Sequence, residues 1–340
     1  MAETTALSEC KYSLMSNHLN IFETIKPSWD DSAERNHYLL YKDLLEREYG
    51  DSRTGIVWDN TNRAYVYLSQ KKYEKMKILH TRHGFVYPGD FDTILDTKFP
   101  RVIGISRTHA DYLSSTFNIQ ARYICNGISL PPQWRNNTNN ISNNKVGSSY
   151  NKHQKEQQEI DYLLSLNRIS PEKGIHHAID LAIATHSPIK IAGDDTHVSD
   201  PLYVKQIIKR CSDSRGYAEY YGLVDNKTKE ELLRNCKAVI TCPESYWIEA
   251  FGLYAVEANS YGKPVLALRN GGLNEIVVNG VNGFLAENLE ELKGYVEKIQ
   301  QCNPEACRKR VEDMFSDEVM TNNYLRLFEK VLEEHPESRW

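Results

Sequence analysis

Two glutamates eight positions apart, Glu249 and Glu257, stand where a strand gives way to a helix in the second half of the chain. The amides around Gly252–Tyr254 would be the unpaired donors of the helix N-terminus, where the helix dipole favours an anion. Glycine at position 252 lets a phosphate approach the backbone closely. The spacing therefore indicates an anion site, with Glu249 in the adjoining crevice and Glu257 within reach of ribose hydroxyls. From spacing alone an equally good interpretation makes Glu249 a helix cap and Glu257 a solvated surface residue.

A second pair of charged residues, Arg168 and Lys173, lies in the turn RISPEKG after an earlier strand. Both side chains could reach a diphosphate, although such a pair is more often ordinary surface charge. A third turn, NGGLNE at 270–275, follows a later strand and offers free amides, which is a weak signal on its own. All three segments directly follow strands, and that is where open parallel sheets bind ligands.

Alternating strand and helix patterns position these segments. The predicted strands lie at 162–168, 189–193, 219–224, 237–242 and 264–268. Helical patterns fill the intervals, with Asn226 as the predicted N-cap of one helix and Gly262 at the predicted C-cap of another. This alternation predicts an α/β fold built on a doubly wound parallel sheet.

The first half of the chain has a weaker pattern of the same type. A charged helix is predicted at 31–49, and strands are predicted at 55–58, 76–81, 101–106 and 121–125. The stretch 136–158 has seven asparagines among 23 residues, and so polar a segment cannot bury enough apolar surface to offset its ordering entropy. The expected division is a shortened N-terminal domain at 1–135, a linker or insertion at 136–158, a C-terminal domain at 159–316 and a C-terminal helix at 317–340.

Composition limits the class of protein. The 340 residues carry 41 Lys and Arg against 46 Asp and Glu, a formal charge of −5, which argues against a nucleic-acid-binding surface. No run approaches the ~18 apolar residues of a membrane span, and the N-terminus lacks a signal pattern. The seven cysteines form no CxxC pair, so we expect reduced thiols in a cytoplasmic protein, with peripheral attachment to a membrane left open.

Two short patterns of metal-ligating residues carry little weight. The D-x-D pattern of Asp90 and Asp92 is short enough to arise by chance and lies outside the strand-and-helix pattern. The pair His80 and His83 has no third ligand suggested nearby. We therefore expect no metal site.

The turns and strands of the second half, taken in this order, closely resemble the retaining glycosyltransferases of family four, which have the GT-B fold. The resemblance covers most of 159–290 and rests on the R-x4-KG turn, the IAG strand end at 191–193, the YYGLV strand, the E-x7-E pattern, the GKPV turn and the Gly-Gly-x-x-Glu turn. It extends more faintly backward through 81–84, 104–106 and 126–128. It implies two Rossmann-like domains with the active site in the cleft between them, the first domain being the acceptor side and the second the donor side.

The resemblance also implies a role for individual residues. Arg168 and Lys173 would bind the donor diphosphate, and Glu249 would contact the transferred sugar. Glu257 would contact the ribose, and His83 would face the donor sugar, although without the resemblance we would interpret that histidine as an ordinary strand-end residue. The backbone that holds phosphate or sugar oxygens would be that of Phe251, Gly252, Leu253 and Tyr254. The segment against the nucleobase would be Gly222, Leu223 and Val224.

The implied activity is transfer of a hexose or related sugar, with retention of configuration, from a nucleotide diphosphate sugar to an acceptor hydroxyl. A UDP- or GDP-linked donor is expected, with no metal and no further cofactor, and the acceptor could be a glycan, a lipid or a small molecule. The sequence departs from the family in two places: no glycine-rich loop precedes Ser16, and Ser129 stands where an aspartate is common. The alternatives are a non-catalytic nucleotide-sugar-binding module and a sugar-nucleotide epimerase or phosphorylase of the same fold.

Overall fold

The computed structural model describes residues 55–60, 76–84, 101–132, 162–198 and 200–334. The predicted helix at 31–49, the asparagine-rich stretch 136–158 and the D-x-D pattern at Asp90 lie outside these residues.

The first part of the chain forms a parallel sheet of four strands in the order β1-β2-β3-β4. Its elements are β1 (Gly55–Asp59), β2 (Met76–Arg82), β3 (Arg101–Gly104), α1 (Arg107–Phe117) and β4 (Arg122–Tyr123). The four predicted strands of this half are all present, each shortened or lengthened by a few residues. Because every pair is parallel, the four carboxyl ends lie along one edge of the sheet.

The second part of the chain forms a parallel sheet of six strands in the order β10-β9-β8-β5-β6-β7. Its strands are β5 (Leu163–Leu166), β6 (Ile189–Ala192), β7 (Ala218–Gly222), β8 (Ala238–Thr241), β9 (Val265–Leu268) and β10 (Gly283–Ala286). Its helices are α2 (Ile175–Ala184), α3 (Pro201–Asp213), α4 (Asn226–Asn235), α5 (Leu253–Ser260), α6 (Leu273–Ile276), α7 (Leu289–Tyr295) and α8 (Pro304–Met314). The chain runs outward through β5, β6 and β7 and then returns to β8 on the other side of β5. The chain therefore proceeds in opposite directions along the sheet after β5 and after β8, and such a switch point is where a doubly wound sheet forms its ligand crevice.

One predicted helix start is wrong by a single residue. Asp225, not Asn226, is the N-cap of α4: its backbone is extended, and its carboxylate accepts a hydrogen bond from the Thr228 amide at 2.7 Å. Asn226 is the first helical residue. A carboxylate at the cap also complements the positive end of the helix dipole.

The last helix, α9 (Asp317–Glu333), leaves the second sheet and packs on the first. One hydrophobic cluster joins residues of both, namely Ile56, Leu79, Ile103, Ile124, Tyr324, Leu327 and Val331. Lys77 is buried in the first sheet and donates hydrogen bonds to carbonyl oxygens at the end of α9, those of Val331, Leu332 and Glu334. Those carbonyls have no partner within the helix, so the lysine both satisfies them and places positive charge at the negative end of the dipole.

The chain passes between its two sheets near Ile128 and again near Ser316, and these two passages lie side by side at the start of α9. Ile128 and Ser316 form a parallel bridge. The Ile128 amide donates a hydrogen bond to the Phe315 carbonyl at 2.9 Å, and the Asp317 amide donates one to the Ile128 carbonyl at 3.0 Å. Ser129, where the resemblance leads one to expect aspartate, donates a hydrogen bond to the Asp317 carboxylate at 2.6 Å.

None of the helices in the described part of the chain combines the length and hydropathy needed to cross a bilayer.

Candidate functional site

Two loops meet at the crevice: 167–174, after β5, and 242–252, after β8. Gly174 has a positive φ of 59°, and a Cβ placed on it would lie 1.8 Å from the carbonyl oxygen of Cys242. The Glu244 amide also donates to the Glu172 carbonyl at 3.0 Å. Glycine at 174 is therefore what allows the two loops to touch.

An ion pair between Lys173 and Glu249 joins these loops. Lys173 Nζ lies 2.5 Å from Glu249 Oε2, and each side chain is only 11% exposed. The same carboxylate oxygen accepts a hydrogen bond from the Tyr254 hydroxyl at 3.2 Å, and Thr241 Oγ1 donates to that hydroxyl at 3.3 Å. Burial, followed by the negative charge of Glu249, raises the pKa of Tyr254 well above its ordinary value, so the tyrosine stays a neutral donor. The pair is thus held in one geometry by side chains from β8 and α5.

The backbone of Glu249 is fixed by the turn at 270–275. Its amide donates to Asn270 Oδ1 at 2.6 Å, and its carbonyl accepts from the Gly272 amide at 2.7 Å. Gly271 has a φ of 48°, and a Cβ there would lie 2.1 Å from the Glu249 carbonyl oxygen. The expectation that this turn offers free amides is thus wrong for Gly272, whose amide holds the Glu249 loop in place.

Arg168 shares the loop of Lys173 but has different partners. Its side chain is 43% exposed, and Nη2 lies 2.7 Å from Glu172 Oε1. Ser170 Oγ donates to the same carboxylate oxygen at 2.7 Å. Although desolvation acts to raise it, these hydrogen bonds and the arginine charge hold the pKa of Glu172 below its ordinary value. Arg168 is therefore an exposed cation oriented by a neighbouring acid rather than part of the buried pair.

The N-terminus of α5 lies against this pair, since Tyr254 is the second residue of the helix. Gly252 is the N-cap, with a φ of 106°, and its carbonyl accepts a hydrogen bond from the Ala255 amide at 3.0 Å. The first two amides of the helix, those of Leu253 and Tyr254, precede any helical acceptor. The side chain of Phe251 is buried against Phe315, with ring centroids 5.8 Å apart, so only its backbone is available to a ligand. Leu253 is 45% exposed.

The two remaining candidate segments of this half lie in α5 and at the end of β7. Glu257 is on the flank of α5, where its carboxylate lies 2.9 Å from Lys229 Nζ of α4, and both side chains are partly exposed. Gly222 ends β7 with a φ of 64°, Leu223 after it is 59% exposed, and Val224 is partly buried. Gly222 thus lies at the carboxyl end of an outer strand of the sheet, whereas Glu257 lies within α5, three residues after Tyr254.

The first sheet faces this site through its carboxyl edge. Ser106, after β3, donates to the carbonyl of Ala250 at 2.7 Å, one residue beyond Glu249. The Glu275 carboxylate of α6 accepts from the first amides of α1, those of Arg107 at 3.0 Å and Thr108 at 2.8 Å. His83 is exposed at the end of the neighbouring strand β2, with Nε2 3.0 Å from Asn60 Oδ1.

The sequence reasoning missed several residues at the crevice. Trp247 lies beside Lys173, whose Nζ is 5.7 Å from the ring centroid. His176 and His177 converge on one oxygen of Glu244, with Nε2–Oε1 distances of 3.4 and 3.1 Å. Glu244 is 67 positions from His177 in the sequence, so no short spacing pattern could connect them. The adjacent histidines at the start of a helix were the one local signal.

Comparison with known proteins gives consistent matches. A family model described as Glycosyl transferases group 1 matches residues 149–314. An uncharacterised 41.2 kDa protein in the cps region of Klebsiella pneumoniae is 25% identical over 298 residues, covering 78% of this chain and 73% of that protein. The human alpha-1,3/1,6-mannosyltransferase ALG2 is 27% identical over 191 residues, covering 50% of this chain and 45% of that enzyme. The crystal structure of Anabaena HepE in complex with UDP and glucose gives a TM-score of 0.64 at 19% identity, covering 81% of this chain and 78% of that one. The structural likeness confirms the predicted GT-B fold.

Proposed function

Since residues 149–314 match the family model described as Glycosyl transferases group 1, we propose that the protein is a glycosyltransferase of the family-four type, which transfers a sugar from a nucleotide diphosphate sugar to an acceptor hydroxyl with retention of configuration. The observation that carries this proposal is the buried pair of Lys173 and Glu249 beside the N-terminus of α5, at the switch point of the second sheet. Positive and negative groups are held there in fixed positions at the mouth of the crevice. This arrangement supports the proposal, since it offers a cation and helix amides to a charged leaving group and a carboxylate to the hydroxyls of a sugar.

In this proposal, groups of the protein itself neutralise the negative charge of the departing diphosphate. In the proposal, Lys173, Arg168 and the first amides of α5 face the diphosphate, so that departure of the leaving group needs no metal ion. Preorganised positive charge of this kind is often the largest catalytic contribution, since it costs no reorganisation during the reaction. The exposed guanidinium of Arg168 can exchange the Glu172 carboxylate for a phosphate oxygen.

The sugar and the nucleoside are assigned to the remaining groups. Glu249 accepts hydrogen bonds from hydroxyls of the transferred sugar, and Glu257 accepts from those of the ribose. The exposed Leu223 offers an apolar surface to the base, and His83 faces the sugar from the first sheet. The acceptor hydroxyl attacks from the face on which the diphosphate leaves, which preserves configuration. HepE, crystallised with UDP and glucose, supports a UDP-linked donor, and a GDP-linked donor is the other candidate.

A donor panel tests the proposal. The protein is incubated with UDP-, GDP- and ADP-sugars and a broad set of glycan, lipid and small-molecule acceptors. Products are identified by mass spectrometry and by proton NMR, which distinguishes anomers and epimers of equal mass. Transfer with retention supports the proposal. Binding without turnover would instead indicate a nucleotide-sugar-binding module. Conversion of the sugar with the diphosphate bond intact would indicate an epimerase, and transfer to inorganic phosphate a phosphorylase.

A matched pair of variants tests the assignment of charge. Arg168→Ala removes an exposed cation of the crevice, and transfer is expected to fall by at least about 100-fold. Lys209→Ala removes an exposed cation paired with Asp213 on α3, far along the chain, and is expected to leave transfer unchanged. Equal rates in the two variants would remove Arg168 from the diphosphate site.

The proposed setting is the cytoplasm, with peripheral contact to a membrane if the acceptor is a lipid.

A further inference from the structure

Three side chains beside the crevice converge in a way that the sugar-transfer proposal does not use. His176 and His177 stand in the first turn of α2, with ring centroids 4.0 Å apart. Both direct Nε2 toward Oε1 of Glu244, at 3.4 and 3.1 Å. Within the described residues, these ligand atoms lie within 4.8 Å of one another, and all three side chains are partly buried.

The separations fit a shared cation. Zinc binds imidazole nitrogen and carboxylate oxygen at about 2.0–2.1 Å in tetrahedral geometry, which places neighbouring ligand atoms about 3.3 Å apart. The two nitrogen-to-oxygen distances of 3.4 and 3.1 Å bracket that value. Two imidazoles and one carboxylate are also a donor set that suits zinc and leaves a fourth position for water.

A second group of contacts orients the ligands. Tyr203 of α3 is 6% exposed, and its hydroxyl lies 2.8 Å from His176 Nδ1. The same hydroxyl accepts a hydrogen bond from the His176 amide at 3.3 Å. A partner on Nδ1 fixes the ring so that Nε2 faces Glu244, which is how metal-binding histidines are commonly held.

We propose that His176, His177 and Glu244 bind a divalent transition cation, with zinc the best match. The cation would clamp the first turn of α2, which directly follows the loop 167–174, to the loop 242–252, at a point five residues from Glu249 in the chain. Its role is to fix the loops, since none of its three ligands is assigned to the donor. The binding claim therefore stands independently of the proposed sugar transfer, and it can be tested without any sugar.

The experiment uses the full chain after treatment with a chelator and removal of that chelator. Zinc is added, and binding is measured by calorimetry together with the shift in thermal unfolding. We expect one zinc per chain and an increase in the unfolding temperature, because a ligand that binds only the folded state stabilises it. Cobalt serves as a second probe, since its visible absorption is strong when four-coordinate and weak when six-coordinate.

Three variants identify the ligands. His177→Gln removes one ligand and is expected to weaken zinc binding by at least about 100-fold, a larger loss than that expected for an orienting group. Tyr203→Phe keeps all three ligands but removes the contact with Nδ1, and is expected to weaken binding about 10–100-fold. His197→Gln is the matched control, because His197 is an exposed histidine 3.1 Å from a single carboxylate, that of Asp194. It should bind zinc as the unchanged protein does.

Certain results would overturn the proposal. One is zinc affinity in His177→Gln within threefold of the unchanged protein, and another is a weak, six-coordinate cobalt spectrum. If His177→Gln fails to fold, Glu244→Gln takes its place, since a neutral amide keeps a hydrogen-bond acceptor for the histidines while removing the charge that a cation needs. Retained zinc affinity in that variant would show that the three groups form a hydrogen-bonded cluster only.

Discussion

Removing both charges of the buried ion pair of Lys173 and Glu249 should restore stability without restoring transfer activity. Lys173→Met leaves the Glu249 carboxylate in a largely buried position, with the Tyr254 hydroxyl as its remaining side-chain partner among the described residues. Removing one member of a buried pair costs about 3–5 kcal/mol, and because both side chains retain 11% exposure we expect the lower figure, about 3 kcal/mol. Replacing both charges by neutral groups of similar volume is often nearly neutral. Lys173→Met with Glu249→Gln should therefore recover most of the free energy of unfolding.

The assay combines denaturant unfolding with transfer rates for both single variants and the double variant. Both single variants and the double variant are expected to lose at least about 100-fold in transfer, since each lacks a group assigned to the donor. Lys209→Ala with Asp213→Ala is the control, because that pair is 2.6 Å apart but highly exposed and should change stability little. The two side chains would not be energetically coupled if each single variant lost less than about 1 kcal/mol of unfolding free energy and the double variant lost the sum of the two. That result would refute the stability argument. Recovery of transfer in the double variant would refute the catalytic assignment while leaving the coupling intact.

Two further predictions concern groups outside the pair. Burial lowers the pKa of His109 to about 4, below its unfolded value near 6.5, so the unfolded state binds more protons between these values and stability should fall as pH drops from about 6.5 to 4. Urea unfolding measures the free energy of unfolding at each pH, and the unchanged protein should lose about 3 kcal/mol more than His109→Asn between pH 6.5 and 4. Parallel pH profiles of the two proteins would contradict the burial argument. Asp225→Ala removes the N-cap of α4 and should cost about 1 kcal/mol, whereas Asn226→Ala, at the first helical position, should cost much less. The reverse order of the two losses would restore Asn226 as the cap.

The α/β alternation could be predicted from the sequence because each strand is a short apolar run followed by a turn. Strands β5 and β8 of the second sheet are buried along their whole length, so most of their residues are apolar on both faces. The position of α4 was found in the same way, but its first residue was not, since aspartate at 225 and asparagine at 226 are both good caps. Only the observed bond from Asp225 to the Thr228 amide decides between them.

The candidate site was less accessible to sequence reasoning. Lys173 and Glu249 are 76 positions apart, and spacing alone could not show that they touch. The resemblance placed both at the donor, but it gave no hint that they form a buried pair supported by Tyr254. The reason for glycine at 174 is likewise a contact with the remote carbonyl of Cys242. Long-range contacts of this kind depend on strand order, which local patterns do not contain.

The two crossings of the chain between its sheets constrain how the halves can move. One crossing passes Ile128 and the other passes Ser316, and backbone hydrogen bonds tie them side by side. A rigid slide of one half past the other would break those bonds, whereas a rotation about them would leave them intact. The natural axis of opening is therefore this pair of adjacent segments. Such a rotation has to release the hydrogen bonds from the start of α1 to the Glu275 carboxylate and the bond from Ser106 to the Ala250 carbonyl.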